Sequence, residues 1–178
     1  MLNSVRKKEI NRLLNRYEFE PDHAKQVKKL ALMIFDKTKG VLHNLTEEDR
    51  DLLEAATLLH DIGYHVSSIK HNKHSYNLIM SELKEFSQEE VDIIANIARY
   101  HRGKSPKKTH GPYSRLPDKK TRDRVKKLGA ICRIADGLDR SHLSIVKNID
   151  CVYDSFSQIL HFVIKLSISD CGLEIWAA

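Results

Sequence analysis

A chain of 178 residues, 41% hydrophobic and 30% charged, has the length for one core domain with a small appendage and the composition of a soluble globular protein. Its longest apolar runs are too short to span a bilayer, and Met1 to Glu9 carry no apolar signal core, so a cytoplasmic location is expected. The net charge of +6 is concentrated: from Arg99 to Lys127 there are twelve Lys/Arg against Asp118 and Asp123, which points to an anionic partner, while nucleic acid is not expected because no recognition motif or interleaved aromatics accompany the run.

Most of the chain reads as helix. Residues 4–17 form a basic amphipathic segment with Leu13, Leu14 and Tyr17 on one side. Pro21-Asp22 opens a helix to about Lys37, with Asp22 as the expected cap, Gly40 as the stop and Val27, Leu30, Ala31 and Ile34 as the apolar stripe. Thr46-Glu47-Glu48-Asp49 has the pattern of a capping box for a helix ending at His60. A loop, Tyr64 to Asn72, leads to a short helix from His74 to Leu83. Ser87-Gln88-Glu89-Glu90 is a second capping box, and the helix behind it carries Val91, Ile94, Ile97 and Ala98 and ends near His101.

Residues 103–120 hold three of the four prolines and two glycines, so they read as a long loop, and such loops are often functional. A helix follows from about Thr121 to Arg140. After Lys147 the period changes. Ile159 to Ile168 alternates as a strand does, Ser169 to Gly172 reads as a turn, Leu173 to Trp176 as a returning strand, and 147–153 as a third strand. The expected architecture is therefore mainly α, a helical bundle over 1–146 with a small antiparallel β element over 147–178 packed on it. That element is open to pairing with another subunit, as in a homodimer, or with a further domain. The three cysteines, Cys132, Cys151 and Cys171, are neither a disulfide framework nor a CxxC site.

The chemistry concentrates in one residue class. His60 and Asp61 stand together at the end of an amphipathic helix, on the face that carries Leu53 and Ala56. A buried unpaired carboxylate costs several kcal/mol at least, and a divalent cation satisfies both groups at once. His23 shares a face with Val27 and Leu30, His74 precedes Leu78 by four, His101 follows Ile94 and Ile97, and Asp136 follows Gly129 and Cys132. His71 is a weaker candidate in the loop. Each alone reads as a hydrogen-bonded core residue, cap or salt-bridge partner. Together they read as one centre in a bundle core. Imidazole and carboxylate ligands suit Mn, Fe, Ni, Co or Zn, and admit Mg. The absence of thiolates argues against a closed structural zinc site. One or two such ions, with Asp61 between them, would activate water and polarise a phosphoryl oxygen.

The H…HD…D pattern of His23, His60-Asp61 and Asp136 resembles the HD-domain superfamily of metal-dependent phosphohydrolases. Four longer blocks, His60 to Gly63, Lys70 to Tyr76, Ala98 to Arg102 and Arg133 to Ser141, are similar to the C-terminal HD-like region of the exopolyphosphatase/guanosine pentaphosphate phosphohydrolase (Ppx/GppA) family. The likeness covers roughly residues 20–178. It implies an HD-domain helical bundle, His23, His60, Asp61 and Asp136 as ligands of a first metal, and His74 and His101 as the further histidines of a dinuclear site. Asp61 and His60 are then the expected catalytic residues. Lys73, Arg102, Lys104 and Arg140 are the candidates for contacts to substrate phosphates.

In that family polyphosphate cleavage is attributed to N-terminal actin-like domains. This sequence has no counterpart of them, so that activity does not carry over. The expected function is a metal-dependent phosphohydrolase acting on a nucleotide, alarmone or other phosphorylated small molecule. The alternative is a non-catalytic module that binds polyphosphate or a guanosine tetraphosphate-like signal, or that serves dimerisation.

Overall fold

The computed structural model describes residues 2–17 and 20–167. Helix α1, Ser4–Arg16, starts where the Asn3 side chain accepts the Arg6 N–H at 2.9 Å. It buries Ile10 and Leu13, and also Glu9. The Glu9 carboxylate is not left unpaired: it accepts the backbone N–H groups of Lys84 and Glu85 at 2.7 and 3.0 Å.

Helix α2, Pro21–Thr38, starts differently from expectation. Glu20, at φ 42, takes the N-cap position without a side-chain cap bond, and Pro21 is the first helical residue. Proline's fixed φ and missing N–H suit that position. Asp22 therefore sits inside the first turn, where its charge complements the helix dipole. Helices α3, Glu47–Leu59, and α5, Gln88–Arg99, both open on reciprocal capping boxes, Thr46 with Asp49 and Ser87 with Glu90.

Two segments are more ordered than the sequence pattern indicated. The stretch after His60-Asp61 makes a 3-10 turn, Ile62–His65, and helix α4 runs His71–Glu82, starting three residues before His74. Lys70, left-handed at φ 58, turns the chain into that helix. The lysine-rich loop contains a single helical turn, α6, Gly111–Ser114. Helix α7, Lys119–Gly137, then begins with the Asp118 side chain accepting the Thr121 N–H at 2.7 Å.

Helix α2 packs on α3 and α7, α5 packs on α3, α4 and α7, and α1 covers α3. Leu30, Ile34, Phe35, Leu52, Leu53, Ile93, Ile94, Ile97 and Leu128 fill the centre with no exposed surface to speak of. A hairpin closes one side: β1, Val146–Asp154, and β2, Ile159–Leu166, pair antiparallel with Cys151 opposite Phe162. Strand β1 lies against α2, where Gln26 Nε2 donates to the Val146 carbonyl at 2.6 Å. The partner of β2 is thus the 147–153 segment. The turn at 169–172, the strand at 173–176 and Cys171 fall outside the described residues. Among the described residues no helix is long and apolar enough to cross a membrane.

Candidate metal centre

Three α-helices and the 3-10 turn meet around one group of polar side chains. His23 stands in the first turn of α2, His60 caps the C-terminus of α3, Asp61 follows it into the 3-10 turn, and Asp136 lies in the last turn of α7. These four offer one ligand atom each, all within 4.8 Å of one another. A second group meeting the same limit shares Asp61 and adds His71, the first residue of α4, and His101, just past α5.

Asp61 is the hinge between the groups. Its Oδ2 lies 3.5 Å from His60 Nε2 and 3.8 Å from His23 Nε2. Its Oδ1 lies 3.2 Å from His71 Nε2 and 3.5 Å from His101 Nε2. Asp136 Oδ1 approaches His23 Nε2 at 3.3 Å and His60 Nε2 at 3.5 Å. His60, His71 and His101 are buried, as are His23 and Asp61.

The imidazoles are held from behind. His60 Nδ1 donates to the Thr57 carbonyl at 2.7 Å, His101 Nδ1 to the Ala98 carbonyl at 2.6 Å, and His71 Nδ1 approaches the Ser68 carbonyl at 3.3 Å. A carbonyl only accepts, so each Nδ1 carries a proton, and in the neutral ring each Nε2 turns a lone pair inward. Two inward atoms, His60 Nε2 and Asp61 Oδ1, are buried with no hydrogen-bond partner. Such an atom costs about 1 to 3 kcal/mol when nothing satisfies it. A divalent ion satisfies both, and the all-imidazole-and-carboxylate donor set fits one.

Without an ion the same side chains act on one another's charge. Burial opposes the charge on His23, yet its contacts with Asp136 and Asp139 prevail and raise its pKa from 6.5 to about 9. His60 is also raised despite burial, by Asp61 and Asp136. Asp61 and Asp136 are lowered despite burial, by the histidines around them. His101 goes the other way, to about 4, because burial and the neighbouring His60 charge both disfavour its proton.

The sign for stability follows. A histidine raised in the folded state stabilises fully below its unfolded value of 6.5 and loses that contribution as pH climbs through about 9,. The lowered carboxylates lose theirs only in strong acid,. Metal-free protein should therefore lose stability from about pH 6.5 to 9,. Metal-loaded protein should gain metal affinity over the same range, because an ion must displace those protons. Melting curves with chelator and with metal across this range check both signs, and parallel pH profiles would contradict the account.

Of the residues singled out from the sequence, the structure brings together His23, His60, Asp61, His101 and Asp136. His74 is not among them. Because α4 begins at His71, its buried face runs His71, Ser75, Tyr76, Ile79, and His74 falls beside that face, half-buried. Ser75 hid the stripe by being polar. Its Oγ is in use, accepting the Gly63 N–H at 2.9 Å. The Arg102 guanidinium lies 3.4 Å from both ring nitrogens of His71, so this exposed cation stands at the rim. Lys73, Lys104 and Arg140 are exposed on segments adjoining His71, His101 and Asp136.

Two residues not singled out are also part of the arrangement. Buried Asp139 binds His23 Nδ1 at 2.9 Å, and His142 stacks on the His23 ring at 3.9 Å.

Fold and site together define a mainly helical domain that gathers four histidines and two aspartates where its helices converge. The family described as Ppx/GppA phosphatase, domain III, matches residues 5–169, and the chain belongs to it. A guanosine-5'-triphosphate,3'-diphosphate pyrophosphatase from Pseudoalteromonas translucida is 30% identical over 99 residues, covering 55% of this chain and 20% of the relative. A protein of the same description from Vibrio campbellii is 28% identical over 101 residues, covering 56% of this chain and 20% of the relative. The chain thus matches about a fifth of the length of these curated relatives.

Proposed function

We propose that this domain is a metal-dependent phosphohydrolase of the HD type, acting on a nucleotide, alarmone or other phosphorylated small molecule. The observation that carries the reading is the pair of buried, unpartnered atoms, His60 Nε2 and Asp61 Oδ1, inside a set of six convergent ligand side chains. His23, His60, Asp61 and Asp136 would hold one divalent ion, and Asp61, His71 and His101 a second. When bound, such an ion supplies Lewis acidity and makes water a nucleophile near neutral pH.

The chain's own groups supply the rest. Asp61, common to both groups, would orient the attacking water. The carbonyls of Thr57 and Ala98 keep His60 and His101 in the ligand tautomer. Arg102, in contact with His71, would take an oxygen of the substrate phosphoryl group, with Lys73, Lys104 and Arg140 available for further phosphates. The relatives are described as guanosine-5'-triphosphate,3'-diphosphate pyrophosphatases, which makes guanosine polyphosphates the first class to test. The free thiols of Cys132 and Cys151 suit a reducing compartment, and the cytoplasm is the location we propose.

The second reading, an anion-binding or dimerisation module without turnover, is favoured by one observation: the family match is to a single domain, and the stretch shared with the curated relatives is about a fifth of their length. Phosphate release from guanosine polyphosphates and a phosphoester panel, with Mn supplied, separates the two. Turnover that chelator abolishes supports the enzyme. Anion binding that is unchanged by chelator, with no turnover on any substrate, supports the module.

A further inference from the structure

His23 is held from behind by a different kind of group from the one behind the other histidines. His60 and His101 each give the Nδ1 proton to the carbonyl three residues earlier in their own chain segment, and His71 faces one placed in the same way. His23, in the first turn of its helix, instead meets a carboxylate 116 residues away, Asp139 Oδ2 at 2.9 Å. Asp139 is completely buried. Its other oxygen, Oδ1, accepts the Ser144 backbone N–H at 2.8 Å. Both oxygens therefore act as acceptors, which a carboxylate can do and a carboxamide cannot.

We infer that Asp139 is the positioning residue of the centre: it keeps the proton on His23 Nδ1, so that Nε2 presents a lone pair toward Asp61 and Asp136. This rests on the metal-centre reading given above. A ligand histidine whose outer nitrogen is fixed by a carboxylate is both oriented and made more basic, and loss of such a partner typically weakens metal binding roughly 10- to 100-fold. Asp139 also adds a second tie between the start of α2 and the end of α7, beside the contact of His23 with Asp136. It lies in the turn after α7, three residues past Asp136 and three before His142, which stacks on the same His23 ring.

The isosteric variant separates this role from a merely structural one. In Asp139→Asn one oxygen becomes an NH2 donor. If that group faces Ser144 it meets another N–H. If it faces His23 it needs Nδ1 as acceptor and drives the proton to Nε2, the atom the metal requires. Asp139→Ala leaves a small void but imposes no wrong-signed hydrogen bond. A packing role makes Ala the worse substitution, because Asn fills the same space. A tautomer role makes Asn the worse one for metal affinity, even though its fold is better preserved.

The test is Mn titration by calorimetry of wild type, Asp139→Asn, Asp139→Ala, His23→Ala and the His23→Ala/Asp139→Asn double variant, with melting curves of each metal-free protein. The expected result is a loss of roughly 10- to 100-fold for Asp139→Asn, a smaller loss for Asp139→Ala, and no further loss from Asn once His23 is gone. Equal Mn affinity in wild type and Asp139→Asn would overturn the inference, as would a greater affinity loss in Asp139→Ala, or an undiminished Asn effect in the His23→Ala background. Should Asp139→Asn fail to fold, the Asp139→Ala protein decides: affinity equal to wild type, or reduced more than about 100-fold, contradicts the tautomer role, and a loss between these supports it. Wild-type protein that takes up no Mn overturns the metal-centre reading itself, an outcome distinct from any difference among variants.

Discussion

Replacing Gly63 by alanine should lower the stability of the metal-free protein by about 3 kcal/mol, the upper end of ordinary overpacking losses. Gly63 follows the His60-Asp61 pair by two residues and runs against the start of α4. A Cβ there would stand 2.1 Å from the His71 carbonyl oxygen and 2.4 Å from the Ser75 backbone nitrogen. Both atoms belong to helix backbone, which cannot rotate aside as a side-chain tip can. Ser75 also accepts the Gly63 N–H, so the two segments are tied as well as close. The added methyl group forces α4 away, and α4 carries His71. For a chain of this size the loss corresponds to a fall in Tm of roughly 6 to 12 °C. The second metal group should loosen with it. Thermal melting with and without metal reads both effects. A Tm within about 2 °C of wild type would show that the approach of α4 is not needed.

The larger effect on function is expected from Asp61→Ala. Among the described residues no other belongs to both convergent groups. Its two oxygens divide the work, Oδ2 toward His23 and His60, Oδ1 toward His71 and His101. Removing it leaves, among the described residues, the four buried imidazoles facing one inward carboxylate, Asp136, on one side only, with Asp139 behind His23. Metal affinity should fall by more than about 100-fold, beyond what loss of an outer partner costs, and turnover should fall to the level of protein with chelator. Metal stoichiometry and phosphate release on the same preparation decide it. A variant that keeps both would remove Asp61 from the centre of the mechanism.

How much of this could be read from residues alone depends on the element. The helices with capping boxes, α3 and α5, were legible because Thr46 and Ser87 each have an acid three residues on and an apolar stripe behind. Position on such a stripe also marked His60 and His101 as inward. The start of α4 was not legible. It is set by Lys70 in a left-handed conformation, which the sequence pattern does not signal for a lysine. The pattern therefore reads three residues of helix as loop and favours His74 over His71. Asp139 carries no sequence signal for a different reason. It lies past the end of α7, so no helical periodicity marks it as inward, and its partner is 116 residues away. The hairpin was half legible: the alternation of Leu160, Phe162, Ile164 and Leu166 identifies β2, while the identity of its partner, β1, depends on register with Cys151 and Ile149.

The most direct test of the central claim is elemental analysis of the purified protein beside His60→Ala. Wild type should carry one or two equivalents of a divalent transition metal, after Mn or Fe is offered if necessary, and the variant should carry none. Wild-type protein that remains free of metal under those conditions would contradict the account and leave the anion-binding module as the better reading of this domain.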